Sequence, residues 1–199
     1  MESAAEPSQE LVEHCWKRRN KIVYQARVSA LYHLKRERFF QSNDKLITFL
    51  TAVAATSAVG FVLKKVEWLD VGVGVVTAVL ALVPAVYNPA DLARRHGQAA
   101  AEFRRLLADA ERAGEHWTVD LCDEFSARIL DLEAVEPAAL SALVIVCENH
   151  LKIAAGNSAA RVRLNWCESL FKQWYDFDAA RIADRHQRET SQHAMPATK

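Results

Sequence analysis

The stretch Lys45–Tyr87, "KLITFLTAVAATSAVGFVLKKVEWLDVGVGVVTAVLALVPAVY", decides how the rest of the chain is read. It holds two apolar runs, 46–63 and 71–87, and neither contains a charged residue. Between them lie Lys64, Lys65, Glu67 and Asp70. An α-helix of 18 residues is about 27 Å long, close to the roughly 30 Å of bilayer hydrocarbon. A helix in a water-soluble bundle carries charge on one face at every third or fourth position. These runs carry none over about five turns each, counted at 3.6 residues per turn. The alternative, two central helices of a soluble bundle, would need more surrounding protein than a chain of 199 residues supplies. The runs are therefore expected to form a transmembrane helical hairpin, with Phe39, Phe40, Trp68 and Tyr87 as interfacial aromatics.

Whole-chain averages hide this contrast, because the formal net charge is +0. Residues 1–45 carry nine Lys/Arg against six Asp/Glu, whereas from residue 91 onward there are 14 against 17. The basic arm comprises Lys17, Arg18, Arg19, Lys21, Arg27, Lys35, Arg36, Arg38 and Lys45. These nine are the candidates for lying on anionic lipid headgroups, with packing on the cytoplasmic helices as the other use. Arg94, Arg95, Arg104 and Arg105 follow the second run, and the short loop 64–70 is nearly neutral. The positive-inside rule then places both flanks of the hairpin on the cytoplasmic side of a bacterial inner membrane.

Outside the runs the pattern is helical throughout, with five Pro, six Gly and no strand-period stretch. The expected organisation is all-α, with a disordered N-terminus over 1–10 and a basic amphipathic helix over 11–45. The hairpin 46–87 follows, then a cytoplasmic helical domain over 88–190 and a disordered tail over 191–199. In the amphipathic helix Val12, Cys15, Trp16, Ile22, Val23, Ala26, Ala30 and Leu34 form the apolar stripe. Asn88-Pro89 reads as the start of a helix that runs to about Ala113 and is closed by Gly114. Thr118 caps the next, over about 119–135, and a third starts at Pro137 and ends near Gly156. The spacing predicts one last long helix opening at Asn157 or Ser158 and carrying Leu164, Cys167, Leu170, Phe171, Trp174, Tyr175 and Phe177.

Within the hairpin, small and hydroxyl side chains recur every four residues. Thr48, Ala52, Thr56 and Gly60 do so in the first run, and Gly74, Thr77, Ala81 and Ala85 mark the second. Such stripes let membrane helices approach closely. They serve either packing within one hairpin or the lining of an oligomeric pore. Pro84 is a candidate hinge near the cytoplasmic end of the second run. No carboxylate, Lys or Arg lies inside either run, which argues against a proton relay or coupled transport.

No phosphate-binding glycine loop, HExxH motif or nucleophile elbow occurs, so no enzymatic activity and no cofactor are expected. The "GVG" at 72–74 lies inside an apolar run and lacks a third glycine. Cys147 and His150 have metal-like spacing, but isolated pairs of this kind on amphipathic helices are ordinarily core and boundary residues. The four Cys, at 15, 122, 147 and 167, contain no CxxC and read as reduced thiols. Nothing in the basic arm selects a base, so no specific nucleic-acid binding is expected.

The order of these parts resembles a known family. A basic, aromatic helix, "YHLKRERFFQSNDK" (32–45), runs into the hairpin, and "ARRHGQAAAEFRRLLADAERA" (93–113) leaves it. Over roughly residues 15–115 the chain looks like a SLATT-type protein, the two-transmembrane effector family associated with SMODS nucleotidyltransferases and SLOG nucleotide sensors. The resemblance implies a membrane effector of a bacterial antiviral or conflict system. Such an effector would form homo-oligomers and permeabilise the inner membrane, causing death or arrest. Its trigger would be a nucleotide second messenger or a sensor protein, from a nucleotidyltransferase, SLOG or reverse-transcriptase system. No separate sensor domain is recognisable, so the helices after 115 would bind the signal or dock the partner. A passive anchor whose cytoplasmic helices recruit another protein is the alternative.

Overall fold

The computed structural model describes residues 9–55, 86–136 and 138–194, together with Val79 and Leu82. Every regular element among them is helical, and no strand occurs. We number the helices α1 (Gln9–Ala55), α2 (Pro89–Arg112), α3 (Val119–Ala134), α4 (Ser141–Ala154), α5 (Trp166–Phe171) and α6 (Ala179–Ala194). A 3-10 turn at Ser158–Ala160 lies between α4 and α5. Among the described residues no helix is long and apolar enough to cross a membrane. The first apolar run is described only over 46–55, as the end of α1, and the second only at Val79, Leu82, Val86 and Tyr87.

Helix α1 is 47 residues long and contains neither Pro nor Gly, so nothing in the backbone interrupts it. It carries the basic arm and the first ten residues of the first apolar run, 46–55. Helix α2 starts as its sequence suggests. Asn88 adopts a positive φ of 36°, its Oδ1 accepts from the Asp91 amide at 3.3 Å, and Pro89 occupies the first helical position. Gly114, at φ 72°, ends it by donating to the Glu111 carbonyl. Thr118 Oγ1 accepts from the Leu121 amide at 3.2 Å and so caps α3.

Two expectations about the C-terminal half are corrected. Helix α4 begins at Ser141 and not at Pro137. Its first amides are satisfied from afar, the Leu140 amide by the Tyr32 hydroxyl at 3.2 Å and the Ser141 amide by Asp176 Oδ1 at 2.9 Å. The single long helix expected after 157 is instead broken into the 3-10 turn, α5 and α6. The Asn149 side chain donates to the Val162 carbonyl at 2.7 Å and accepts from its amide at 2.9 Å. These bonds take up groups that a helix would have used internally. Asn165 then opens α5 through a capping box with Glu168. At the far end α6 continues to Ala194, past the point where the tail is expected to lose order.

The chain divides into two compact units, Met1–Tyr32 with Ala99–Lys199, and His33–Gln98. In the first unit the core joins three helices. Cys15, Ile22, Ala26 and Ala30 of α1 meet Phe103, Leu106 and Ala110 of α2 and Cys122, Phe125 and Ile129 of α3, with Trp117 between the last two helices. The three- and four-residue spacing in each helix keeps these side chains on one face. A smaller cluster seats Tyr32 against Leu143 and Cys147 of α4. Of the stripe expected on α1, Val12 and Trp16 depart: both are exposed and line the rim of an apolar hollow beside Trp117.

Candidate functional site

The second unit, His33–Gln98, contains the roots of both apolar runs, and its packing is specific. On α1, His33, Arg36, Glu37 and Phe40 share one face; on α2, Pro89, Ala93, His96 and Gly97 share another. His33, Phe40, Pro89, Ala93 and His96 are all buried. Phe40 meets Tyr87 with ring centroids 6.0 Å apart, while His33 meets His96 at 5.1 Å. The later residue of one arm thus pairs with the earlier residue of the other. Within this unit the two helical arms are antiparallel, and Tyr87, the last residue of the second run, lies against Phe40, six residues before the first run begins.

The centre of the site is a pair of imidazoles. His33 Nδ1 and His96 Nδ1 lie 2.8 Å apart in a buried setting. A contact of this length requires one ring to donate and the other to accept, so the pair holds one proton between the two nitrogens. Phe40 stacks on His96 nearly parallel, at 5.5 Å and 9°. The Arg36 guanidinium covers the other aromatics, 4.5 Å from the Phe40 ring centre and 5.7 Å from that of Phe39. Burial pushes the His96 pKa down to about 4, and the neighbouring His33 and Arg36 add to the shift. His96 is thereby held neutral in neutral solution, as the shared proton demands.

Gly97 leaves room for the Glu37 side chain. A Cβ built there would lie 3.1 Å from the Glu37 carboxyl, which also accepts from the Gln41 side chain at 2.9 Å. Among the described residues no group of three or more His, Cys, Asp or Glu side chains converges as a metal ion would require. What the site can do is clamp two helices by a contact that depends on protonation.

The residues singled out from sequence fall in several places. Thr48 and Ala52 are exposed on α1. Thr56, Gly60, Gly74, Thr77, Ala81, Pro84 and Ala85 lie outside the described residues. The nine basic residues of the arm have different neighbours. Arg18 donates to Asp123 at 2.6 Å, and Arg19 lies over the rings of Trp16 and Trp117 at 5.3 and 5.7 Å. Arg36 serves the imidazole site, and Lys17 pairs with Glu13 one turn earlier. Lys35 is half-buried; Lys21, Arg27, Arg38 and Lys45 are exposed. Cys147 is fully buried whereas His150 is exposed.

Motif reasoning gives neither histidine a role. A signal is nevertheless present: His33 stands seven residues after Ala26, and His96 seven after Pro89, so each sits on the apolar stripe of its helix. Matching the chain against models of known protein families, against curated proteins and against solved structures returned no match in any of the three. The functional reading rests on the residues themselves.

Proposed function

We propose that the chain is a two-pass membrane effector. Both flanks of its hairpin lie in the cytoplasm, and oligomers of it permeabilise the bacterial inner membrane when a nucleotide signal or a sensor protein releases them. The observation that carries the reading is the pair of uncharged apolar runs whose flanking arms are antiparallel. Apolar side chains at these roots are not covered by the rest of the protein: Phe49 is 64 % exposed, Leu82 62 % and Val86 86 %. Exposed apolar surface where each run begins or ends favours a lipid environment over water. The antiviral role and the nature of the trigger come from the resemblance to SLATT-type effectors. The small-residue stripes through Thr48, Ala52, Thr77 and Ala81 are the proposed pore lining, and Pro84 the hinge.

The experiment is to express the chain alone in bacteria from a tightly controlled promoter and follow membrane potential and dye entry. Depolarisation with growth arrest is the expected outcome for an effector that assembles unaided. If the protein is inserted yet silent, the neighbouring sensor and its signal are added. Continued silence, together with full function after the hairpin is replaced by an unrelated one, establishes the anchor alternative instead.

A further inference from the structure

Between Arg161 and Tyr175 the first unit presents large apolar side chains outward. Trp166 is 75 % exposed, Tyr175 63 %, Leu170 and Trp174 61 % and Phe171 46 %. The backbone that carries them is firmly held. Asn149 fixes Val162 through two hydrogen bonds. The buried Glu168 carboxylate accepts both guanidinium nitrogens of Arg185, at 2.8 and 2.6 Å, and the Asn165 amide at 2.7 Å. Asp176 holds the start of α4. The aromatics are thus displayed from a pinned frame, and among the described residues no core of this unit takes them in.

The charges beside them are mainly basic. Arg161 and Arg163 are exposed and Lys172 is half-buried; Glu168 is neutralised by Arg185, and of the two exposed acids that follow Tyr175, Asp178 pairs with Arg181 and Asp176 accepts from the Ser141 amide. Trp and Tyr rings with basic neighbours suit the headgroup layer of a bilayer, where the ring body meets acyl chain and the cations meet phosphate.

We propose that Trp166, Leu170, Phe171, Trp174 and Tyr175, with Arg161, Arg163 and Lys172, form a docking surface for an anionic lipid bilayer. It deepens the membrane reading by giving the cytoplasmic helices their own contact with lipid. It depends on that reading only for having a bilayer at hand.

The full chain is reconstituted into vesicles containing phosphatidylglycerol, or into phosphatidylcholine alone, each with a nitroxide on a fraction of the headgroups. The Trp166 and Trp174 fluorescence is taken as the difference between the wild type and the W166F/W174F variant, whose changes are at exposed positions and leave the fold intact. The expected result is quenching of this component roughly two-fold or more stronger in the anionic vesicles, abolished by R161E/R163E/K172E. Quenching by aqueous iodide, equal in both vesicle types and without nitroxide quenching, overturns the proposal and leaves the patch to a protein partner or a second copy. The two readings fail separately. A chain that alkaline carbonate strips from vesicles but whose two tryptophans were quenched loses the two-pass reading and keeps the docking surface. A chain that resists carbonate with both tryptophans in water does the reverse.

Discussion

At the scale of single residues the decisive pair is His33 and His96. Their 2.8 Å contact tolerates one proton between the two nitrogens and not two. The sign of the pH dependence follows. An unfolded histidine titrates at about 6.5, whereas His96 in place is held down to about 4. Its contribution to stability is complete above the unfolded value and is lost as pH falls from there through about 4. The slope is at most about 1.4 kcal/mol per pH unit for this one group. Lys35, Arg36, Glu37, Arg38, Asp44 and Lys45 on α1 and Asp91, Arg94 and Arg95 on α2 are the other charged groups on these arms. Asp91 is already paired with both arginines, so it does not supply a counter-charge to the imidazoles. Denaturant titrations at several pH values between 7 and 4.5 are expected to give a shallower pH slope for His96→Gln than for the wild type. Parallel slopes would place the acid sensitivity elsewhere.

At the scale of elements, the seam between α1, α2 and α3 and the segment after α4 respond differently to substitution. Phe103 is fully buried between α1 and α3 partners, and removing its ring leaves a cavity in the three-helix core. Phe103→Ala is expected to cost about 3–5 kcal/mol, read as a shift in the unfolding midpoint. Asn149→Ala acts locally. It removes both hydrogen bonds to Val162, a loss of about 1–2 kcal/mol confined to that segment. Hydrogen exchange should therefore quicken at the Val162 amide and along 161–165 while the Phe103 core stays protected. Exchange that quickens everywhere would mean that the segment is part of the global cooperative unit. The continuity of α1 matters here too. One helix carries the clamp residues, Thr48 and Ala52 without an intervening break.

At the scale of the whole molecule, the proposed permeabilisation belongs to an assembly and not to one chain. If small side chains line the pathway, enlarging them should close it. Ala52→Leu and Ala81→Leu are each expected to lower dye leakage about ten-fold or more, as blocking a narrow constriction does, with expression and membrane insertion unchanged. Leakage that survives both changes moves the lining to another face of the helices. The proposed two-pass topology offers a second check at this scale: if the two runs form a hairpin, cysteines introduced at exposed positions before residue 46 and after residue 87 should react with an impermeant thiol reagent from the same side of the membrane.

Much of the architecture was legible before any coordinates. A chain with few Pro and Gly and with apolar residues at three- and four-residue intervals can only satisfy its backbone as helices, and the sequence determined that by itself. Local chemistry determined several ends as well, since Asn88-Pro89, Gly114 and Thr118 act on amides and carbonyls within a few residues of themselves. The two apolar runs are equally a property of sequence. What tertiary structure alone decided are the features that depend on groups far apart in the chain. The break after 157 exists because Asn149 reaches Val162, and α4 starts late because Tyr32 and Asp176 reach its first amides. The same reason applies to the imidazole pair. His33 and His96 are 63 positions apart, and periodicity could place each on the inner face of its helix, but only the antiparallel packing of the arms brings one nitrogen against the other.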